Sequence, residues 1–83
     1  MEKVMMYTLS TCPWCRKTKQ WFNERNVPFD YVDYDLASSE EKEKIKERLA
    51  KEKLDLSFPI VYIGEACVQG YNPGKYGTLL GLS

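Results

Sequence analysis

Apolar residues fall into short runs and stripes along this chain, with polar turn residues between them. Val4 to Leu9 (Val-Met-Met-Tyr-Thr-Leu) is almost continuously apolar, which predicts a strand covered on both faces. Cys15, Thr18, Trp21, Phe22 and Arg25 then recur at helical spacing. Pro13 suits the first helical position, and Trp21 and Phe22 are the expected anchors on a sheet. Asn26 and Pro28 end that helix. Phe29 to Tyr34 alternates aromatic with acidic or aliphatic residues and predicts a second strand. Strand, helix and strand in so short a span imply a right-handed βαβ unit.

Ser38 followed three positions later by Glu41 is a capping-box pattern. The helix it opens carries Ile45 and Leu49 on one stripe. Glu40 with Lys44 and Glu47 with Lys51 are favourably ordered pairs, and the charge run reads as a solvated helix face. Phe58 to Ile63 predicts a third strand. Gly64-Glu65 makes a two-residue turn, with Gly64 where a primed turn needs positive φ, and Ala66 to Gln69 is the returning strand. Asn72 caps a last helix with Pro73 at its first position and Tyr76, Leu79 and Leu80 on its apolar side. The order is βαβ–α–ββα, an α/β arrangement expected to form one domain over residues 1–83.

Composition narrows the function classes. The 83 residues suffice for one domain. Twelve basic residues balance twelve acidic ones, which speaks against nucleic acid as the main partner. No run approaches the ~18 apolar residues of a membrane span. Met1-Glu2-Lys3-Val4 enters the first apolar segment without a signal-peptide layout. A cytoplasmic monomer without a membrane partner is therefore expected. Histidine is absent, which removes the usual general base and the commonest zinc ligand. An odd count of three cysteines (Cys12, Cys15 and Cys67) does not fit a disulfide scaffold.

Cys12-Pro13-Trp14-Cys15 stands where a strand hands over to a helix. The reactive form of cysteine is the thiolate, and a helix N-terminus favours an anion through its unpaired N–H groups and partial positive charge. Arg16, Lys17 and Lys19 add positive charge nearby. Two intervening residues bring Cys15 round one turn toward Cys12, so that a disulfide between them can close and resolve a mixed disulfide. Pro13 fixes the turn, and Trp14, expected to be partly exposed, either offers a flat apolar surface beside the sulfur or serves simple packing. The competing reading is half of a metal site. Zinc normally takes four Cys or His ligands, and this chain has only three candidates, although a cluster shared between two chains escapes that count. Placement at a strand-to-helix junction favours redox chemistry, with no metal expected. Read from the residues alone, Pro59 is a trans proline at a strand start in preference to a cis bond, and Cys67 is a small buried residue in a strand, with a regulatory thiol as the alternative.

Tyr7-Thr8-Leu9-Ser10-Thr11-Cys12-Pro13-Trp14-Cys15, followed by Ser57-Phe58-Pro59 and Gly70-Tyr71-Asn72, resembles the glutaredoxin family over nearly the whole chain. The resemblance implies a thioredoxin-like fold, a mixed four-stranded sheet flanked by three helices. It implies a thiol–disulfide oxidoreductase with Cys12 as nucleophile and Cys15 as resolving thiol. Pro59 matches the family's cis-proline, and the Phe58 backbone would pair with an extended substrate or glutathione. Thr11, Phe58, Pro59, Gly70, Tyr71 and Asn72 then form the substrate- or thiol-binding set. Three departures bear on glutathione. Leu9 replaces a lysine common in glutathione-using members, Ser57-Phe58-Pro59 replaces Thr-Val-Pro, and Tyr71-Asn72 replaces small and acidic positions. Disulfide-containing proteins are thus the expected partners. No bound cofactor is expected, and either weakly used glutathione or a thioredoxin reductase supplies electrons. The alternative class is an iron–sulfur carrier in which Cys12 of two chains holds a cluster with external thiols; the stiffening by Pro13 argues against it.

Overall fold

The computed structural model describes residues 3–82; Met1, Glu2 and Ser83 lie outside them, and with Met1 and Glu2 goes part of the chain start read above. Strand β1 (Val4–Thr8) leads through a short turn into helix α1 (Pro13–Glu24). Strand β2 (Asp30–Asp33) runs into a single 3-10 turn (Tyr34–Leu36), which the sequence pattern did not announce. Helix α2 (Ser39–Lys51), the hairpin β3 (Ile60–Ile63) and β4 (Ala66–Gln69), and helix α3 (Pro73–Leu80) complete the expected order.

The four strands form one mixed sheet in the order β2-β1-β3-β4. β1 and β2 are parallel, as a βαβ unit requires, whereas β1–β3 and β3–β4 are antiparallel. The central strands alternate between two apolar layers. Val4, Met6, Val61 and Ile63 pack with Trp21 and Phe22 of α1 and Tyr76 of α3. Tyr7, Ile60 and Tyr62 face the other way, onto Ile45 and Leu49 of α2. The near-continuous apolar runs of β1 and β3 follow from this, because both faces of each strand are covered.

Local signals explain most boundaries. Ser38 Oγ accepts the Glu41 N–H at 3.1 Å and opens α2. Gly64 takes φ +60 in the β3–β4 turn, and Asn26 takes φ +55 after α1. Several details differ from expectation. Strands are shorter than the apolar runs, because Leu9, Phe29 and Phe58 belong to flanking loops. Arg25 does not extend the buried stripe of α1; it is exposed, its guanidinium lies over Trp21 at 4.1 Å and it donates to the Trp21 carbonyl. On α2 the pairs formed are Glu40–Lys44, Glu43–Lys46 and Arg48–Glu52, not Glu47–Lys51. Arg48 also donates to the Tyr7 hydroxyl at 3.0 Å and lies over the Tyr62 ring at 4.0 Å; exposed pairs such as the missing Glu47–Lys51 contribute little. No helix among the described residues is long and apolar enough to cross a membrane.

Candidate active site

The two cysteines share one helix start but occupy opposite environments. β1 ends at Thr8, and the chain turns with the Cys12 N–H donating to the Leu9 carbonyl at 3.2 Å. Cys12 is the N-cap of α1, in extended conformation, and its Sγ accepts the Cys15 N–H at 3.3 Å. Pro13 fills the first helical position, where an N–H has no helical partner to lose. Cysteine is not a favoured cap, since Ser, Thr, Asp and Asn do this better. The residue nonetheless sits half-exposed at the end of the helix where an anion is stabilised.

Cys15 is fully buried, and its Sγ receives the Leu9 N–H at 3.4 Å. Burial pushes its thiol up to about 12 from an ordinary 9.0, and the hydrogen bond to Cys12 adds to the rise. Both thiols are free. The pair thus comprises an accessible sulfur at a helix start and a protonated sulfur behind it.

The loop carrying Cys12 is braced from β2 and the 3-10 turn. The Ser10 N–H and hydroxyl both donate to Asp35, and those bonds hold its carboxyl below the ordinary carboxylate range. Buried Thr8 donates its hydroxyl to Asp33 at 2.6 Å, and Lys19 meets the same carboxylate at 3.2 Å. Lys19 is therefore committed to Asp33, whereas Arg16 and Lys17 are exposed and form no ion pair among the described residues.

Beside the cysteine pair opens a cleft of about 250 Å³ lined by Trp14, Phe58, Pro59, Gly70 and Tyr71. The Trp14 ring is 55% exposed and lies 5.7 Å from Tyr71, and Lys17 Nζ sits 4.9 Å over it. Phe58 stacks on Tyr34 at 5.4 Å. The Phe58–Pro59 peptide is cis, which corrects the trans reading drawn from the residues alone. Gly70 donates its N–H to the Pro59 carbonyl at 2.7 Å, and its own carbonyl accepts the buried Tyr76 hydroxyl. Its φ of +89 explains why glycine stands there. No lining side chain carries a charge.

Four of the six expected binding residues, Phe58, Pro59, Gly70 and Tyr71, thus meet in one cleft, joined by Trp14 of the cysteine motif. Thr11 and Asn72 do not line it. Thr11 is exposed in the turn before Cys12, and Asn72 is exposed, with its Oδ1 accepting the Lys75 N–H at 3.2 Å to cap α3. Cys67 is half-buried rather than buried, on β4 against the α2 layer, where burial raises its thiol. Sequence reasoning passed over Tyr34 and Asp35, whose only signal was a short polar–aromatic stretch between β2 and the Ser38 cap. Among the described residues, no group of three or more Cys, Asp or Glu side chains comes together that could hold a metal ion.

The glutaredoxin family model matches residues 4–68. A glutaredoxin-like 8.6 kDa protein of the rubredoxin operon of Clostridium pasteurianum is 27% identical over 77 residues, 93% of this chain and 96% of that one. The crystal structure of a glutaredoxin from Archaeoglobus fulgidus superposes with a TM-score of 0.84 at 35% identity, covering 96% of this chain and 87% of the other. Methanoredoxin of Methanosarcina acetivorans superposes with a TM-score of 0.85 at 32% identity, covering 98% and 86%. Motif, fold and relatives agree: the chain belongs to the glutaredoxin family and is a thiol–disulfide oxidoreductase.

Proposed function

We propose that this protein reduces disulfides of protein substrates by dithiol exchange, with Cys12 as the attacking sulfur and Cys15 as the resolving one. The observation that carries this is the contrast at one helix start. Cys12 Sγ is accessible and receives an N–H, while Cys15 Sγ is buried with its thiol held protonated. In the first step the Cys12 thiolate attacks one sulfur of the substrate disulfide. That S–S bond breaks, and the other sulfur leaves as a thiolate and takes up a proton. In the second step Cys15 gives up its proton and attacks Cys12 Sγ. The Cys12–Cys15 disulfide forms as the mixed disulfide between Cys12 and the substrate breaks, the second substrate sulfur leaves and takes up that proton, and two electrons have passed from the pair to the substrate.

Glutathione is a poor reductant in this reading. Its two carboxylates need positive or N–H donors at both ends, whereas the cleft lining is uncharged and Lys17, over Trp14, stands at one end only. Turnover driven by glutathione with glutathione reductase should rise almost linearly through the low-millimolar range. Turnover driven by a thioredoxin reductase should saturate. Tight saturation by glutathione refutes this part of the reading. Cys12→Ser should abolish disulfide reduction, and Cys15→Ser should trap a mixed disulfide on Cys12. Anaerobically purified protein should be colourless with oxidisable thiols; charge-transfer bands in the visible spectrum would favour the cluster-carrier class instead.

A further inference from the structure

Four aromatic rings run in sequence past the cleft. Lys17 lies over Trp14, Trp14 packs on Tyr71, the cleft follows with Phe58 as its far wall, and Phe58 stacks on Tyr34. Trp14 is more than half exposed, and Tyr71, Phe58 and Tyr34 are partly so. The row therefore leaves part of its ring surface in solvent beside the cleft, with Lys17 over Trp14 at one end and Lys42 over Tyr34 at the other. Charge is distributed unevenly along it. At the Tyr34 end Lys42 lies 5.8 Å over the ring, but Asp35 is close enough to feel its charge. At the Trp14 end the first turn of α1 holds no acidic residue, and Arg16 and Lys17 are unpaired among the described residues. A helix N-terminus adds its own positive end there.

We infer that this row is a docking surface for an extended, acidic–apolar protein segment, in which an apolar residue beside the substrate disulfide seats on the aromatic row and a carboxylate outside it meets Lys17 and Arg16. The inference deepens the reading of Cys12 as attacking sulfur and rests on it. Charge complementarity selects the occupant. A basic segment would place like charges together at the Trp14 end, and a purely polar one would leave the rings in water. Glutathione is anionic but has no apolar side chain for the row, so its rate serves as a comparison.

The test uses fully reduced protein and three peptides that share an intramolecular Cys-Gly-Gly-Cys disulfide. Their flanking residues are Leu-Glu, Leu-Lys or Ser-Glu. Single-turnover reduction is followed by acid quench and chromatography of the reduced peptide, with neutral hydroxyethyl disulfide as reference. At low ionic strength the Leu-Glu peptide should react about five- to tenfold faster than the Leu-Lys peptide. It should also react about fivefold faster than the Ser-Glu peptide and faster than glutathione disulfide. About 0.5 M sodium chloride should shrink the first ratio and spare the second. Lys17→Glu should bring the first ratio to one or below. Equal rates for the Leu-Glu and Leu-Lys peptides, or for the Leu-Glu and Ser-Glu peptides, overturn the inference while reduction of hydroxyethyl disulfide proceeds. Failure to reduce hydroxyethyl disulfide overturns the underlying reading of Cys12.

Discussion

A single-thiol comparison tests the division of labour between the cysteines. One variant, Cys12→Ser with Cys67→Ser, keeps only Cys15; the other, Cys15→Ser with Cys67→Ser, keeps only Cys12. A thiol at about 12 carries roughly one thousandth of the thiolate, near pH 7, that it would carry at an ordinary 9.0. Only the thiolate alkylates, so that ratio passes directly into the rate. Removing Cys12 takes away the hydrogen bond and the negative charge that help raise Cys15. The larger cause, burial, remains, and Cys15 has no exposed surface for a reagent to reach. The margin that survives should therefore be at least about a hundredfold. The assay is iodoacetamide labelling at pH 7 read by intact mass, with both variants repeated in denaturant, where their rates should converge. Folded variants that label within about fivefold of each other, or a faster Cys15, would show that the fold does not separate the two sulfurs.

Stability of the reduced protein should fall as the pH rises above about 9. Burial raises Cys15, Cys67, Tyr62 and Tyr76, and each is neutral when protonated. The folded state thus keeps protons that the unfolded chain releases, so stability is intact below the unfolded values and declines above them. A melting temperature that stays flat across this range contradicts the assignment, and Cys15→Ala should make the decline shallower. Tyr76→Phe should cost about 1–3 kcal/mol in urea denaturation, because it leaves the Gly70 carbonyl without its buried donor. Leu9→Lys with Asn72→Asp should lower the half-saturating glutathione concentration roughly tenfold, about 1.4 kcal/mol. No change in that concentration would show that charge at these positions does not limit glutathione use.

Element order and core were legible because the signals were local. Pro13, Ser38, Gly64 and Asn72 each do at their own position what their chemistry dictates, and the apolar runs of β1 and β3 announce strands covered on both faces. Pairing was not legible, since placing β3 beside β1 depends on contacts between residues more than fifty positions apart. The cysteine motif was visible as spacing, but the burial that distinguishes Cys15 from Cys12 exists only once α1 packs in the folded chain. The bracing of Ser10 by Asp35 is equally non-local, and so it went unseen.

The departures from the family pattern gain meaning from what their side chains do. Asn72 is exposed and caps α3 through Oδ1, a task that aspartate performs as well. The fold therefore does not require the neutral residue there. Leu9 serves the site through its backbone: its N–H goes to Cys15 Sγ and its carbonyl to the Cys12 N–H. A lysine would keep both bonds. Tyr71 and Phe58 are different, because each makes a specific ring contact, with Trp14 and with Tyr34. Charge is thus missing at positions where structure would tolerate it, and aromatic surface is present where a small residue would leave the rings unpartnered. In the proposed reading, that combination weakens recognition of a small doubly anionic thiol while enlarging the apolar surface offered to an extended chain, and this contrast is what favours a protein segment as the substrate of Cys12.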